Sequence, residues 1–165
     1  MNRLPFKHKV WIAGNHDLDL ENFPEFEKYV IKKFPKLIYL KNSSVVINKI
    51  KIYGSPWTIN FNNWAFNLSA EKLKKVWTQI PSDTDILMTH GPPEGILDKN
   101  LDGFPCGCVH LKSAVERVKP KLHVFGHIHE AYGMRQVQGE GTIFANASIQ
   151  DYQKNELNAP ITLEL

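Results

Sequence analysis

The sequence predicts an α/β fold, a layered β-sandwich flanked by helices. Short apolar segments typical of strands alternate with amphipathic segments typical of helices in the first two thirds of the chain, and strand-like segments dominate the last third. The 165 residues contain no internal repeat and no Ser/Gly-rich linker, so we expect one domain over residues 1–165.

Composition excludes several classes of protein. The chain is 42% hydrophobic and 22% charged, unlike disordered or fibrous proteins, and its net charge of +3 is too small to predict specific nucleic-acid binding. It has neither an apolar run of membrane-spanning length nor the apolar core of a signal peptide. Two cysteines are too few for a disulfide framework. We therefore expect a soluble cytoplasmic domain without membrane contact.

The first third of the chain predicts a strand, a helix and a hairpin. Residues 9–13 form an apolar strand that ends at a Gly-Asn pair, and Asn22 is suited to cap a helix over residues 23–33. Strands at 45–47 and 50–53 flank a two-residue turn. Four apolar side chains have the spacing of one buried stripe on the helix, namely Phe26, Tyr29, Val30 and Ile31.

The aromatic segment at residues 54–67 has no regular period and predicts a long loop. Loops of this length in compact domains are commonly functional. Trp57 and Trp64 are suited to wall a substrate pocket and stack on a base or aryl group, but they are equally suited to cover the edge of the sheet as core residues. Both interpretations stay open at this stage.

The remaining elements are predicted from apolar periodicity and breakers. An amphipathic helix runs from Ser69 to Gln79, an irregular stretch covers residues 94–107, and a second helix runs from 109 to 118 before Pro120. Strands are predicted at 85–89, 122–126, 134–137, 142–146 and 161–165.

Three segments that carry histidines each follow directly after a predicted strand. They are Gly14-Asn15-His16-Asp17, Thr89-His90-Gly91 and Gly126-His127-Ile128-His129. Ligands of α/β sheets collect outside the carboxyl ends of strands, so we expect these loops to meet at one rim. Imidazoles and an amide oxygen are typical ligands of first-row transition metals.

Local patterns refine this prediction. If residues 127–129 are extended, the side chains of His127 and His129 lie on the same side of the chain. Asp17 is suited to hydrogen-bond to His16 and fix its tautomer. The isolated residues His8, His110 and His123 stand in no motif, and we interpret them as structural histidines.

These motifs resemble the calcineurin-like metallophosphoesterase superfamily, whose signature continues as Gly-Asn-His-Asp, His and Gly-His-x-His. The similarity is greatest to its metallophosphoesterase-domain-containing (MPPED-like) group and extends over nearly the whole chain. It includes Tyr53-Gly-Ser-Pro-Trp57, Asp85-Ile-Leu-Met-Thr-His-Gly-Pro-Pro93 and Asn146-Ala-Ser148. The resemblance implies two packed β-sheets flanked by helices, with two divalent metal ions (Mn, Fe or Zn) at the rim.

The resemblance also implies a role for each motif residue. Asn15, His90 and His127 would ligate the second metal and His129 the first. His16 would donate a proton or stabilise charge at the leaving oxygen, with Asp17 orienting it. The implied function is hydrolysis of a phosphodiester or nucleotide phosphoester by metal-activated water.

The chain departs from the family pattern at its start. The superfamily signature opens with Asp-x-His and Gly-Asp motifs, and neither pattern occurs anywhere in the sequence. Four uncharged donors then remain for two dications, whose mutual repulsion is strong without a bridging carboxylate. We therefore expect at most one ion in this chain, the loss of the family's first strands, and little or no turnover by the chain alone.

Three explanations fit this departure. The chain is a fragment of a complete enzyme, or half of a split protein completed by a chain that supplies the missing Asp and His ligands. Alternatively, it is a catalytically degenerate module of the same fold that binds a nucleotide or a protein. A small phosphoester or nucleotide is the expected substrate in the first two cases.

Overall fold

The computed structural model describes residues 5–136, 139, 141–151 and 155–164. These residues form a mixed six-stranded sheet with helices packed on it, as predicted from the sequence. The strands of this sheet lie in the order β3-β4-β7-β8-β10-β9. Their bounds are β3 Ser43–Ile47, β4 Ile50–Ser55, β7 Ile86–Thr89, β8 Leu122–Phe125, β9 Gly133–Gln136 and β10 Ile143–Asn146.

The four central strands, β4, β7, β8 and β10, are parallel, and the two edge strands pair antiparallel to their neighbours. Parallel strands end at the same edge of a sheet, so the segments that follow β7 and β8 emerge side by side. The β3–β4 hairpin turns at Asn48 and Lys49, which both have positive φ. This is the backbone of a type I′ turn, and the predicted hairpin is confirmed.

Two helices pack together beside the central sheet. They are α3 (Ala70–Thr78) and α4 (Val109–Val118), and the predicted bounds of α4 are confirmed. Leu73 and Trp77 of α3 and Leu111 of α4 are buried in one cluster with strand residues such as Leu87. This cluster is the main hydrophobic core.

The N-terminal elements lie near β4. The short strand β1 (Val10–Trp11) pairs in parallel with β2 (Ile38–Tyr39). A Cβ atom on Gly54 of β4 would lie 2.5 Å from Leu40 and 2.7 Å from Ile12. The missing side chain at Gly54 therefore lets the β1–β2 pair approach the central sheet closely.

The helix predicted over residues 23–33 differs from the structure in two ways. It is preceded by α1 (Leu18–Asn22), so Asn22 ends one helix and the cap of α2 (Pro24–Lys33) is Phe23, without a side-chain hydrogen bond. The predicted buried stripe is wrong: Phe26, Tyr29 and Ile31 are exposed. Among these side chains only Val30 packs on a buried cluster of the described residues.

Three further differences concern the loops and the C-terminus. The aromatic segment contains the parallel pair β5 (Thr58–Ile59) and β6 (Asn67–Leu68). No strand forms at residues 161–164, so the predicted last strand is wrong there, and Leu165 lies outside the described residues. Val137, the predicted end of another strand, also lies outside them. The remaining elements are the 3₁₀ turn His129–Ala131 and the pair β11 (Gln150–Asp151) and β12 (Glu156–Leu157).

Candidate metal centre

The loop after β1 and the loop after β7 meet directly. Oδ1 of Asn15 lies 2.7 Å from Nε2 of His90, although the two residues are 75 positions apart. Asn15 is buried, and its backbone carbonyl accepts a hydrogen bond from the Ala65 amide. The amide side chain is thus held against the imidazole by a fixed backbone.

The loop after β8 brings a second imidazole to the same place. The ring centroids of His90 and His127 are 4.7 Å apart. The Gly126 amide donates to the carbonyl of His90, which ties the two loops together. Asn15, His90 and His127, predicted from separate motifs, are therefore neighbours in the structure.

The backbone of the third motif is not extended, so the condition under which His127 and His129 would lie on the same side of the chain is not met. His127 has φ of 72°, in the left-handed region, and His129 begins a 3₁₀ turn. A left-handed conformation is costly for a non-glycine residue and is frequent at functional sites. It turns the chain so that His127 lies against His90 while His129 contacts a different part of the molecule.

His129 is fixed by the C-terminal region. Its Nδ1 lies 2.8 Å from the carbonyl oxygen of Gln150, so Nδ1 carries the proton and Nε2 has the lone pair. The Ile128 carbonyl, between the two motif histidines, accepts hydrogen bonds from Asn146 Nδ2 and Ser148 Oγ. These two side chains therefore hold the backbone of the motif rather than the ring of His129.

Burial keeps the central imidazoles neutral. Burial first, and then the neighbouring rings of His127, His16 and His129, lower the pKa of His90 to about 3. The pKa of His127 is lowered by burial first and then by His129 and His16. Neutral imidazoles with available lone pairs are the form that binds metal ions.

One cation can take the place of the proton between two of the donor atoms. Asn15 Oδ1 lies 2.7 Å from His90 Nε2, and because an amide oxygen only accepts, Nε2 donates in this pair. A metal ion that displaces this proton would need the two atoms to separate to about 3.4 Å, the spacing of tetrahedral ligands that each lie about 2.1 Å from the ion. In the part of the chain that the structure describes, no group of three or more His, Cys, Asp or Glu side chains is arranged to hold a metal. The set that fits thus depends on the amide of Asn15.

A cavity of about 460 Å³ adjoins three of the motif histidines but not His90. His16, His127 and His129 line it, together with residues of the aromatic loop and of the 94–107 loop. The additional lining residues include Asn60, Phe61, Trp64, Asn100, Cys106 and Glu130. Asn100 belongs to no motif, so the sequence pattern did not single it out.

The two tryptophans have different surroundings. Trp64 lines the cavity, and its ring centroid lies 5.0 Å from that of His16. Trp57 packs against both hydrophobic clusters and meets Phe66 edge-on at 5.4 Å, and it is not among the residues that line the cavity. The pocket interpretation therefore suits Trp64, and the core interpretation suits Trp57.

Asp17 and His123 make other contacts. Oδ2 of Asp17 accepts a hydrogen bond of 2.7 Å from the Gly14 amide, which closes the turn of the first motif. His123 is fully buried, with Nε2 2.8 Å from Thr89 Oγ1. Because the Thr89 hydroxyl donates to the Gly91 carbonyl, Nε2 of His123 is the donor in this pair. His123 thus holds the end of β7, next to His90. This contact is a structural one, as we expected for a histidine outside the motifs.

No helix in the described ranges has both the length and the apolar character needed to cross a membrane.

Known proteins resemble this chain in sequence. The family model for calcineurin-like phosphoesterases matches residues 1–131. Metallophosphoesterase domain-containing protein 1 is 39% identical over 191 residues in both Homo sapiens and Mus musculus, covering 100% of this chain and 57% of each relative. A UPF0046 protein of Caenorhabditis elegans is also 39% identical, covering 98% of this chain and 63% of its own length. The chain thus spans a little over half the length of these relatives.

Solved structures share the fold. One crystal structure superposes with a TM-score of 0.69 at 15% identity, covering 89% of this chain and 59% of the other. The protein TT1561 of Thermus thermophilus gives a TM-score of 0.54 at 12% identity, covering 84% of this chain and 62% of the other. With the matched family model and the relatives at 39% identity, these findings show that the chain belongs to the calcineurin-like phosphoesterase family.

Proposed function

We propose that the chain serves the hydrolysis of a phosphodiester or nucleotide phosphoester by holding one divalent transition-metal ion (Mn, Fe or Zn) on Asn15, His90 and His127. The observation that carries this proposal is the 2.7 Å approach of Asn15 Oδ1 to His90 Nε2, with the His127 ring beside them. When bound, such an ion supplies Lewis acidity to a phosphoryl oxygen and lowers the pKa of water.

His16 is the proposed group that acts on the substrate. Its ring lines the cavity beside His127 and His129, and a phosphoryl group bound there is within its reach. An imidazole in this position donates a proton or a hydrogen bond to the leaving oxygen. His129 is the proposed ligand of the other ion of a complete family site, and its Nδ1–H bond to the Gln150 carbonyl orients the ring.

Turnover needs carboxylates from outside these residues. Asn15, His90, His127 and His129 are amide and imidazole ligands, which supply no negative charge to a metal site. Two dications at a separation of a few Å repel strongly without an anionic bridge. We expect the chain alone to bind one ion and to hydrolyse phosphoesters slowly or not at all, with a longer form or a second chain supplying the missing Asp and His.

The test is equilibrium binding of Mn²⁺ or Zn²⁺ to the purified chain. We expect one ion per chain, and we expect at least tenfold weaker binding for Asn15→Ala and for His90→Ala. His110→Ala is the matched control, because His110 lies on α4 in a groove away from the candidate metal centre. Binding of two ions, or unchanged binding in both site variants, contradicts the proposal, as does ordinary turnover of bis(p-nitrophenyl) phosphate by the chain alone.

The second candidate is a degenerate module that binds a nucleotide without hydrolysing it. The cavity beside the histidines favours it, because Phe61 and Trp64 give that cavity an aromatic wall and the candidate donors include no carboxylate. This function predicts saturable binding of a nucleoside monophosphate with no hydrolysis at any metal concentration. Hydrolysis that appears when a longer form or a second chain supplies the missing Asp and His excludes this second function.

A further inference from the structure

The carboxylate of Asp17, the residue after His16, binds a backbone amide. Asp17 Oδ2 accepts the Gly14 amide at 2.7 Å, and the Asp17 amide in turn donates to the Gly14 carbonyl. These two bonds close the turn of the first motif upon itself. Among the described residues Asp17 makes no hydrogen bond to His16, an exposed side chain that lines the cavity, so this carboxylate does not orient the ring.

The indole of Trp64 contacts the His16 ring. The ring centroids of Trp64 and His16 are 5.0 Å apart with the planes inclined by 41°. Both rings line the same cavity. Phe61 meets Trp64 edge-on, with centroids 5.4 Å apart, so the indole is supported by a second aromatic ring.

The loop that carries Trp64 is attached to the first motif. The Ala65 amide, one residue after Trp64, donates to the backbone carbonyl of Asn15, one residue before His16, at 2.9 Å. Phe66 is fully buried, and its amide donates to Glu21 of α1 at 2.8 Å. The aromatic loop and the Gly-Asn-His-Asp turn are thus held in a fixed register on both sides of the ring pair.

Asparagine residues shape the turn of this loop. Asn62 and Asn63 both have positive φ, and Asn67 Nδ2 donates to the Phe61 carbonyl at 2.6 Å. Asparagine adopts the left-handed region more readily than other side chains. The turn therefore presents Trp64 toward the cavity while Ala65 reaches back to Asn15.

We propose that Trp64 is the positioning residue for His16: its indole holds the imidazole over the cavity in the orientation needed to reach a bound phosphoester. The proposal rests on the function proposed above for what His16 does, but the contact itself exists without a metal or a substrate. Among the ring contacts of the described residues, Trp64 meets His16 and Phe61 but none of the proposed metal ligands. We therefore expect a change at Trp64 to affect His16 more than the proposed metal ligands.

The test is nuclear magnetic resonance of the metal-free chain with labelled histidine and tryptophan rings. We expect nuclear Overhauser contacts between the Trp64 indole and the His16 ring, and His16 ring protons displaced from their free-peptide shifts. In Trp64→Leu the His16 shifts should return toward free-peptide values, and the three-bond χ1 couplings of His16 should average over rotamers, which loss of the indole ring current alone does not cause. Trp64→Phe should keep part of both effects. Asp17→Asn, which retains an oxygen acceptor for Gly14, should leave His16 displaced.

A second readout separates positioning from a general loss of structure. In Trp64→Leu the backbone resonances of Asn15 and His90 and the affinity for Mn²⁺ should stay those of the unmodified chain. The control Phe61→Leu should shift His16 less than Trp64→Leu does. Absence of the indole–imidazole contact in the unmodified chain overturns the proposal even if a variant fails to fold, as does a His16 displacement that survives Trp64→Leu. Failure of the unmodified chain to bind metal contradicts the proposed function alone.

Discussion

Asn15 and His90, 75 residues apart, bring an amide oxygen and an imidazole nitrogen within 2.7 Å. This contact needs a residue without a side chain at position 14. A Cβ atom on Gly14 would lie 2.7 Å from Cε1 and 2.8 Å from Nδ1 of His90, closer than real Cβ contacts occur. The first glycine of the motif is therefore a steric requirement for the position of His90.

Gly14→Ala should displace the His90 ring and weaken divalent-metal binding at least tenfold, because the imidazole has to move away from Asn15. Calorimetric titration with Mn²⁺ measures this. Gly126→Ala is the matched control: a Cβ there meets Ser148 Oγ at 3.4 Å, an ordinary contact, so affinity should change little. Equal affinities in the two variants would contradict the steric argument.

Asp98 should be the main polar support of the 94–107 loop. It is 3% exposed, and its Oδ2 accepts the amides of Gly95 and Gly107 at 2.8 and 3.2 Å. Asp98→Ala leaves two backbone donors without this acceptor and should lower the free energy of unfolding by about 2–4 kcal/mol. Urea denaturation measures the change.

Asp98→Asn is the matched control, because one amide oxygen can replace the single carboxylate oxygen that both bonds use. It should cost only about 1 kcal/mol. The prediction fails if the alanine and asparagine variants are equally stable. Cys106 and Gly107 line the cavity next to these bonds, so Asp98→Ala should also speed thiol labelling of Cys106.

The stability of the metal-free chain should fall in acid because of His123. Burial lowers its pKa from 6.5 to about 3 in the folded state. Between these values the unfolded chain binds a proton that the folded chain excludes. The stabilisation is therefore complete above pH 6.5 and is lost as the pH falls toward 3, at about 1.4 kcal/mol per pH unit.

His123→Phe should remove about one proton from this pH dependence, since phenylalanine does not titrate and Phe125 and Phe144 already surround the ring. Denaturation curves at pH 7, 6, 5 and 4 give the slope for each protein. His90, whose pKa burial also lowers to about 3, continues to contribute in the variant. Identical slopes for the two proteins would refute the assignment to His123.

The sequence predicted the meeting of the histidine loops because parallel strands end at one edge of a sheet. This rule needs only the order of strands and loops, and His90 and His127, which follow the parallel neighbours β7 and β8, obey it. Asn15 follows β1, which belongs to a separate two-stranded sheet, so the rule does not account for its place beside His90. The bounds of α4 were predictable for a similar reason, since its apolar period and the following Pro120 are local signals.

Long-range contacts that carry no local signal were not predictable. The exposed stripe on α2 has the spacing of a buried one, and spacing does not reveal whether anything packs against it. The left-handed backbone of His127 has no signal in the sequence, and the carbonyl of the next residue, Ile128, is held by Asn146 and Ser148, nearly twenty residues away. The contact of Trp64 with His16 likewise depends on tertiary structure.

The proposed ligands come from three loops that are distant in the chain, and this ties occupancy to conformation. In the unfolded chain Asn15, His90 and His127 are far apart, so a bound cation stabilises only the folded state. Each tenfold increase of free ion above its dissociation constant would then add about 1.4 kcal/mol to the resistance of the chain against heat and proteases. Metal supply would set the lifetime of the protein as well as its chemistry.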